Sequence, residues 1–157
     1  MQIRAATPAD LGVLIELMRG YYRDDGLGFD AEESGAVMAR LLNEPQWGRV
    51  WLGEVDGGAV GYVALCIGFS LELGGNDAFV DEVFVLPDHR GRGYGRQLVE
   101  FLIARAGELN IRALHLEVDQ ANTAAQQLYE SLGFRKRDRY FLMTHLPDSH
   151  PLSPPIG

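Results

Sequence analysis

The stretch Arg90-Gly91-Arg92-Gly93-Tyr94-Gly95 joins two segments of different periodicity. The mainly apolar run 79–87 before it is typical of a buried strand, and the residues from Gln97 onwards repeat with helical spacing. The first backbone amides of a helix have no intrahelical partner and carry partial positive charge. Glycines let an anion approach such amides closely, and Arg90 and Arg92 add formal charge. The stretch therefore predicts an anion site, the alternative being a glycine-rich loop that only begins a helix.

Two common nucleotide-binding motifs do not fit this stretch. The dinucleotide fingerprint requires Gly-x-Gly-x-x-Gly, whereas the glycines here alternate and are followed by Arg96. The P-loop requires Gly-Lys-Ser/Thr, a triplet that the sequence does not contain. The stretch instead resembles the acyl-coenzyme A signature of the GNAT superfamily of N-acetyltransferases, Arg/Gln-x-x-Gly-x-Gly/Ala. Arg90, Gly93 and Gly95 fill its defined positions.

Length and composition are those of one ordinary globular domain. The chain has 157 residues, of which 46% are hydrophobic, and a net charge of −8. No apolar run reaches the roughly 18 residues of a membrane span, and the start does not have the pattern of a signal peptide. We therefore expect a cytoplasmic protein with no membrane partner, and the acidic balance argues against a nucleic-acid partner. The expected N-acetyltransferase domain covers residues 1–146, and a proline-rich tail follows over 147–157.

Hydrophobic periodicity predicts the element order β-α-α-β-β-β-α-β-α-β-β. The first helix begins after Thr7 and ends at an aromatic and acidic loop over Gly20–Gly28, and Asp30 caps the second helix. The strand–helix–strand crossover from Phe79 to Val118 requires parallel strands, whereas the earlier hairpins are antiparallel. Two closing strands are expected over 134–146. The prediction is an α/β fold with a mixed sheet and helices on both faces.

A second informative stretch covers residues 122–134. Tyr129 lies on the apolar face of a predicted helix, so its hydroxyl points inward and needs a partner. Locally, a core tyrosine and a helix-capping Asn122 explain these residues as well as ligand contacts do. The pattern Asn-x-x-Ala-x-x-Leu-Tyr-x-x-x-Gly-Phe, however, is similar to the second sequence block of the same superfamily. Because both blocks occur in order and are separated by a strand, the chain is identified as a GNAT member.

The resemblance implies a mostly antiparallel sheet with a parallel strand pair splayed at the centre, as in the acyl-CoA N-acyltransferase fold. It also implies that acetyl-CoA is the cosubstrate, that no metal is needed and that the acceptor is a small-molecule amine. The resemblance is compatible with a homodimer. Tyr129 would protonate the leaving thiolate, and Asn122 would contact the pantetheine or adenine side. A strand segment would pair with the pantetheine arm of the donor, and it consists of Val83, Phe84 and Val85. A loop would hold the pyrophosphate, and it consists of Arg90, Gly91, Arg92, Gly93, Tyr94, Gly95 and Arg96.

Asp81 and Glu82 are the candidates for the catalytic base. An alkyl ammonium with a pKa near ~10.4 must lose a proton before it attacks a thioester, and a carboxylate can accept that proton. Neighbouring strand residues face opposite sides of a sheet, so only one of the two carboxylates faces the acyl centre unless a bulge intervenes. Glu82 is slightly favoured as the base over Asp81, and a water held by a carboxylate is the third option.

The acidic pair looks like that of polyamine-type members, so small cationic amines are the leading substrate class. Protein N-termini, amino acids, aminoglycosides and a non-catalytic acyl-CoA sensor are the alternatives. Acceptor choice is expected to lie in the loops 20–28 and 69–77, where Asp24 and Asp25 are either pocket residues or solvated acids. Cys66 is expected to be a buried structural thiol and Trp47 to be core or lid packing.

Overall fold

A computed structural model describes residues 1–145, so the predicted tail lies outside the described residues. Within them, five strands form one sheet in the order β1-β2-β3-β4-β5. Their bounds are β1 Gln2–Ala5, β2 Gly48–Val55, β3 Gly58–Ser70, β4 Gly75–Val85 and β5 Leu114–His115. The pairs β1–β2, β2–β3 and β3–β4 are antiparallel and β4–β5 is parallel, which confirms the mixed, mostly antiparallel sheet.

Helices cover both faces of this sheet, as predicted. Their bounds are α1 Leu11–Asp24, α2 Ala31–Asn43, α3 Tyr94–Glu108 and α4 Thr123–Ser131. Helices α1 and α2 pack over the face that carries Tyr62 and Phe84, and α3 packs over the face that carries Val63 and Leu65. Within residues 1–145, each helix is too short or too polar to span a lipid bilayer.

Helix α1 begins where the sequence predicts but ends later. The Thr7 backbone amide donates to Asp10 Oδ2 at 2.7 Å, closing a capping box before the helix. The helix then continues through Gly20, where the predicted loop should begin, to Asp24. A Cβ at Gly20 would lie 2.7 Å from the Phe84 ring. This glycine therefore permits close packing of the helix on the sheet and does not end the helix.

The closing strands predicted over 134–146 are wrong as far as the structure describes them, because residues 134–145 contain no strand. Residues 135–139 read Arg-Lys-Arg-Asp-Arg, a charged run without the alternating apolar face that a half-buried strand needs. Strand β5 is also shorter than the predicted strand over 113–118. The parallel pair β4–β5 consequently lies at one edge of the described sheet and not at its centre.

Two irregularities of β4 prepare the site. Ala64 of β3 pairs with Glu82 whereas Leu65 pairs with Val80, so Asp81 is an extra residue in a β-bulge. Pairing with β5 is confined to Ala78 and Phe79, so β4 has no β5 partner from Val80 onwards in the described chain. The predicted splay of the parallel strands is therefore present.

Candidate active site

The bulge brings both candidate carboxylates to one cavity. Residues after a bulge change the face to which they point, so Glu82 joins the α1–α2 side while Val80 faces α3. Asp81 and Glu82 line the same cavity of about 370 Å³. Its other walls are formed by α1, α2, β3 and the α2–β2 connection: Met18, Tyr22, Val37, Met38, Arg40, Leu41, Trp47, Ala64, Cys66.

Glu82 is buried, with 8% of its surface exposed, and accepts a hydrogen bond from the Tyr62 hydroxyl at 2.6 Å. Burial is the main cause that raises the pKa of Glu82, and the charge of Asp81 raises it further. The Tyr62 and Tyr22 hydroxyls oppose the rise because they stabilise the carboxylate. A carboxyl group with a raised pKa on a cavity wall is suited to accept a proton near neutral pH.

Asp81 is an exposed residue on the wall of the same cavity. Partial desolvation of its carboxyl group by the surrounding protein nevertheless raises its pKa. A hydrogen bond from the Cys66 thiol opposes that rise. Cys66 itself is half-buried and lines the cavity, so the expectation of a buried thiol is wrong. Burial, with the charge of Asp81, raises the pKa of Cys66 to about 12, which keeps it a thiol and unsuited to act as a nucleophile.

The acceptor walls differ from those that the sequence indicated. Of the two loops expected to select the acceptor, only Tyr22 lines the cavity, and it belongs to α1. Trp47 is half-exposed, not a core residue, and its Nε1 donates to Glu44 Oε2 at 2.7 Å. The apolar face of α2 was missed as a cavity wall because, in sequence, it has the spacing of an ordinary core face. Tyr62 was missed because its hydrogen-bond partner Glu82 is remote along the chain.

The loop before α3 has the geometry of an anion site. Gly91 and Gly93 have φ values of +73° and +78°, which favour glycine, and no atom lies within 4 Å of a Cβ built on either. The amides of Tyr94, Gly95 and Arg96 donate to no carbonyl among the described residues. Open glycines beside free helix-terminal amides fit the pyrophosphate of coenzyme A.

The arginines of this loop have distinct surroundings. Arg90 donates from Nε to the Val85 carbonyl at 2.8 Å and pairs with Asp24. Arg96 donates to Ser131 Oγ, which ties the start of α3 to the end of α4. Arg92 is exposed and has no ion-pair partner in the described part of the chain. The loop thus offers an anion the unpaired side chain of Arg92 together with a larger number of free backbone amides.

The unpaired side of β4 offers backbone groups next to this loop. The amide of Leu86 donates to the Val60 carbonyl at 2.8 Å, so its polar groups face β3. Because the direction alternates along a strand, the polar groups of Val83 and Val85 face the unpaired side, and Phe84 turns its side chain into the core. The edge from Val83 to Val85 is thus open to an extended ligand, except for the Val85 carbonyl that Arg90 occupies.

Asn122 and Tyr129 belong to α4. The Asn122 side chain accepts from the Ala125 amide at 3.0 Å and therefore caps the helix. Tyr129 packs edge-on against Phe134, with ring centroids 5.8 Å apart, and burial raises its pKa. It lines a second cavity of about 910 Å³ along β5, to which Phe79 of β4 also contributes. The structure does not bring Tyr129 into the cavity of Asp81 and Glu82; the two cavities adjoin different parts of β4.

Comparison with known proteins assigns the class of this fold and site. Residues 14–134 match the acetyltransferase (GNAT) family, and the chain belongs to that family. An N-acetyltransferase of Archaeoglobus fulgidus without an assigned substrate is 32% identical over 139 residues, covering 87% of this chain and 94% of the relative. The L-2,4-diaminobutyric acid acetyltransferase of Nocardia farcinica is 33% identical over 71% of this chain, which spans 55% of that enzyme.

A solved structure shares the fold over nearly the whole chain. An integron cassette protein from the mobile metagenome of Cole Harbour Salt Marsh superposes with a TM-score of 0.84 and 33% identity, covering 93% of this chain and 91% of that protein. Because the chain belongs to the GNAT family and its Archaeoglobus relative is an N-acetyltransferase, the protein is an enzyme of the N-acetyltransferase class, and enzymes of this family use acetyl-CoA as the acetyl donor.

Proposed function

We propose that this enzyme acetylates a primary amine of a small cationic molecule of the polyamine type, with Glu82 as the base. The observation that carries the proposal is the β-bulge, which places Asp81 and Glu82 in one cavity with aromatic and methionine side chains. Acetyl-CoA supplies the activated acetyl thioester. The acceptor nitrogen attacks it directly, so the chain needs no covalent intermediate of its own.

The acceptor cavity has the chemistry to select a cation. Two adjacent carboxylates attract an ammonium group, and the cavity wall also carries the aromatic rings of Tyr22 and Trp47, side chains that make cation–π contacts, as Trp47 does with Arg40 at 5.8 Å. The net charge of −8 favours the approach of cationic molecules over long distances. A molecule with two amino groups satisfies both carboxylates, one at the exposed Asp81 and one at the buried Glu82.

Glu82 performs the proton transfer in this proposal. A bound ammonium nitrogen gives its proton to the Glu82 carboxylate and becomes able to attack. Burial raises the affinity of Glu82 for that proton, and the hydrogen bond from Tyr62 fixes the orientation of the acceptor oxygen. Asp81 anchors the substrate, because its side chain is the more exposed of the two and has no tyrosine partner.

The chain's own groups also place the donor. The open edge of β4 at Val83, Phe84 and Val85 pairs with the pantetheine arm, and the loop from Arg90 to Arg96 holds the pyrophosphate. Asn122, besides capping α4, lies on the pantetheine or adenine side. Tyr129 donates a proton from its hydroxyl to the departing sulfur, which is consistent with the raised pKa that keeps this hydroxyl protonated.

An α,ω-diamino acid is the second candidate acceptor. The Nocardia relative bears the name of a 2,4-diaminobutyric acid acetyltransferase, and Arg40 lines the same cavity as the two carboxylates. A guanidinium at this wall can pair with a substrate carboxylate, although Arg40 also contacts Glu44 at 3.1 Å. The two candidates therefore differ in whether Arg40 contributes to acceptor binding.

Thiol release from acetyl-CoA, followed with a panel of amines, tests the proposal. We expect turnover with polyamines, about tenfold higher KM for them in Asp81→Asn, and little change in Arg40→Gln. A diamino acid as the preferred acceptor, with KM raised in Arg40→Gln, would support the second candidate. Preference for an N-terminal peptide or an aminoglycoside would contradict both, and acetyl-CoA binding without turnover on any amine would indicate a sensor.

A further inference from the structure

Arg90 connects the loop before α3 with two other parts of the fold. Its Nε donates to the Val85 carbonyl at the end of β4, and a terminal nitrogen donates to the carboxylate of Asp24. Its guanidinium also lies over the Phe84 ring, 5.4 Å from the centroid. Because a guanidinium is planar and rigid, these three contacts together fix both its position and its orientation.

Asp24 occupies an unusual position for an acidic residue. It is the last residue of α1, where the helix dipole disfavours negative charge. Its carboxylate is about one quarter exposed and pairs with Arg90, with a weaker contact of 3.8 Å to Arg23. It does not line the acceptor cavity, so it is not one of the amine-pocket acids that the sequence suggested. Its position is explained by the partner that it holds.

We propose that Asp24 is a positioning residue for the acyl donor, holding Arg90 across the end of β4 and thereby fixing the loop that leads to Gly91 and Gly93. This inference rests on the proposed placement of the coenzyme pyrophosphate in that loop. Arg90 fills the Val85 carbonyl and so ends the open edge of β4 next to the free amides of α3. Without the carboxylate, the guanidinium turns towards water and the loop loses a fixed point.

The ion pair also connects the two substrate regions. Helix α1 carries Met18 and Tyr22 on the wall of the acceptor cavity and Asp24 at its end. The ion pair between Asp24 and Arg90 thus links the donor loop to the helix that forms part of the acceptor wall. The effect of losing it should nevertheless fall on the donor, because Met18 and Tyr22 remain held by core packing.

Asp24→Asn tests the role, since it removes the charge and keeps the shape. We expect the Kd for coenzyme A, measured by isothermal titration calorimetry, to rise about fivefold, as for the loss of one partly exposed ion pair. KM for acetyl-CoA should rise by a similar factor, with kcat and the amine KM within about twofold. Asp24→Glu should retain most of the affinity. Asp88→Asn removes the same charge from an exposed site in the loop and should bind as the unchanged protein does.

Two further variants separate the possible failures. If Asp24 acts through Arg90, the double variant Asp24→Asn/Arg90→Gln should bind coenzyme A no more weakly than Arg90→Gln alone, whereas additive losses would overturn the proposed route. Weakened binding in Arg92→Gln with unchanged binding in Asp24→Asn would overturn the role of Asp24 and leave the pyrophosphate site standing. Unchanged binding in Arg92→Gln, in Arg90→Gln and in Gly91→Ala, which adds a methyl group where the anion would approach the backbone, would overturn the pyrophosphate site itself.

Discussion

Replacing Tyr62 with Phe should move the acid limb of the pH–rate profile to higher pH. Tyr62 is fully buried, and burial raises the pKa of its hydroxyl far above its usual range, so it donates to Glu82 throughout the accessible pH range. That hydrogen bond stabilises the charged form of Glu82 and lowers its pKa relative to burial alone. Its loss therefore raises the pKa, and Glu82 is protonated, and inactive as a base, up to a higher pH.

The size of this effect can be worked from the geometry. A separation of 2.6 Å is typical of a hydrogen bond between a hydroxyl and a carboxylate. Hydrogen bonds to charged groups contribute about 1.5–3 kcal/mol, and about 1.36 kcal/mol corresponds to one pKa unit. Tyr22 also stabilises the Glu82 carboxylate, and the protonated form keeps part of its interactions, so we expect the lower end of that range. The predicted shift is about one pH unit upwards.

The assay is the ratio of kcat/KM for the variant to that of the unchanged enzyme across pH, with the same amine. Taking the ratio cancels the titration of the amine itself. We expect a ratio near about 0.1 well below the limb and near 1 on the plateau, as a one-unit shift requires. Tyr21→Phe is the matched control, because it removes a hydroxyl beside the same residues that does not hydrogen-bond to Glu82.

A flat ratio, with both variants shown to be folded by thermal unfolding, would refute the assignment of Glu82 as the titrating base. A shift of equal size in Tyr21→Phe would show that the effect comes from general changes in the cavity. After a flat ratio, Asp81 or a water held by it becomes the base to test.

Three further predictions concern single residues. Tyr129→Phe should lower turnover at least about tenfold where chemistry limits the rate, with coenzyme A binding retained; equal turnover would remove Tyr129 from the role of acid. Glu82→Gln should lower activity about 100-fold. The variant should also unfold at a higher temperature than the unchanged protein at about pH 8, but not at about pH 4. The reason is that the pKa of Glu82 is raised in the folded state, so the stability that its protonated form contributes is lost as the pH rises through that pKa. Gly93→Ala should destabilise the protein by about 1–2 kcal/mol, because the φ of Gly93 is +78°. Gly107→Ala, at a position in α3 with open space around it, should instead stabilise the protein by about 0.5–1 kcal/mol. Similar unfolding temperatures for the two variants would contradict the loop geometry.

Features encoded by neighbouring residues could be read from the sequence. The capping box before α1, the Asp30 cap of α2 and the glycine turn before α3 depend on residues two or three positions apart. The two sequence blocks of the GNAT resemblance are local in the same sense. Extrapolation failed where a local pattern was ambiguous, as at Gly20, whose role is set by Phe84 on another element.

The candidate site, in contrast, depends on contacts between remote segments. Nothing in the residues around Asp81 signals a bulge, because the register of β4 is fixed by its pairing with β3. The partners of Glu82 and Arg90 are likewise far away in the chain, at Tyr62 and Asp24.

From the sequence alone, the loop from Arg90 to Arg96 could be predicted as an anion site, because glycine dihedrals and helix-terminal amides are local properties. The two sequence blocks identified the GNAT family, whose enzymes use acetyl-CoA. Only the tertiary structure decided that Asp81 and Glu82 share a cavity and that α2 forms its wall. The physical reason is that side-chain direction in a sheet follows from the register between strands, and the register is settled when the strands pack together.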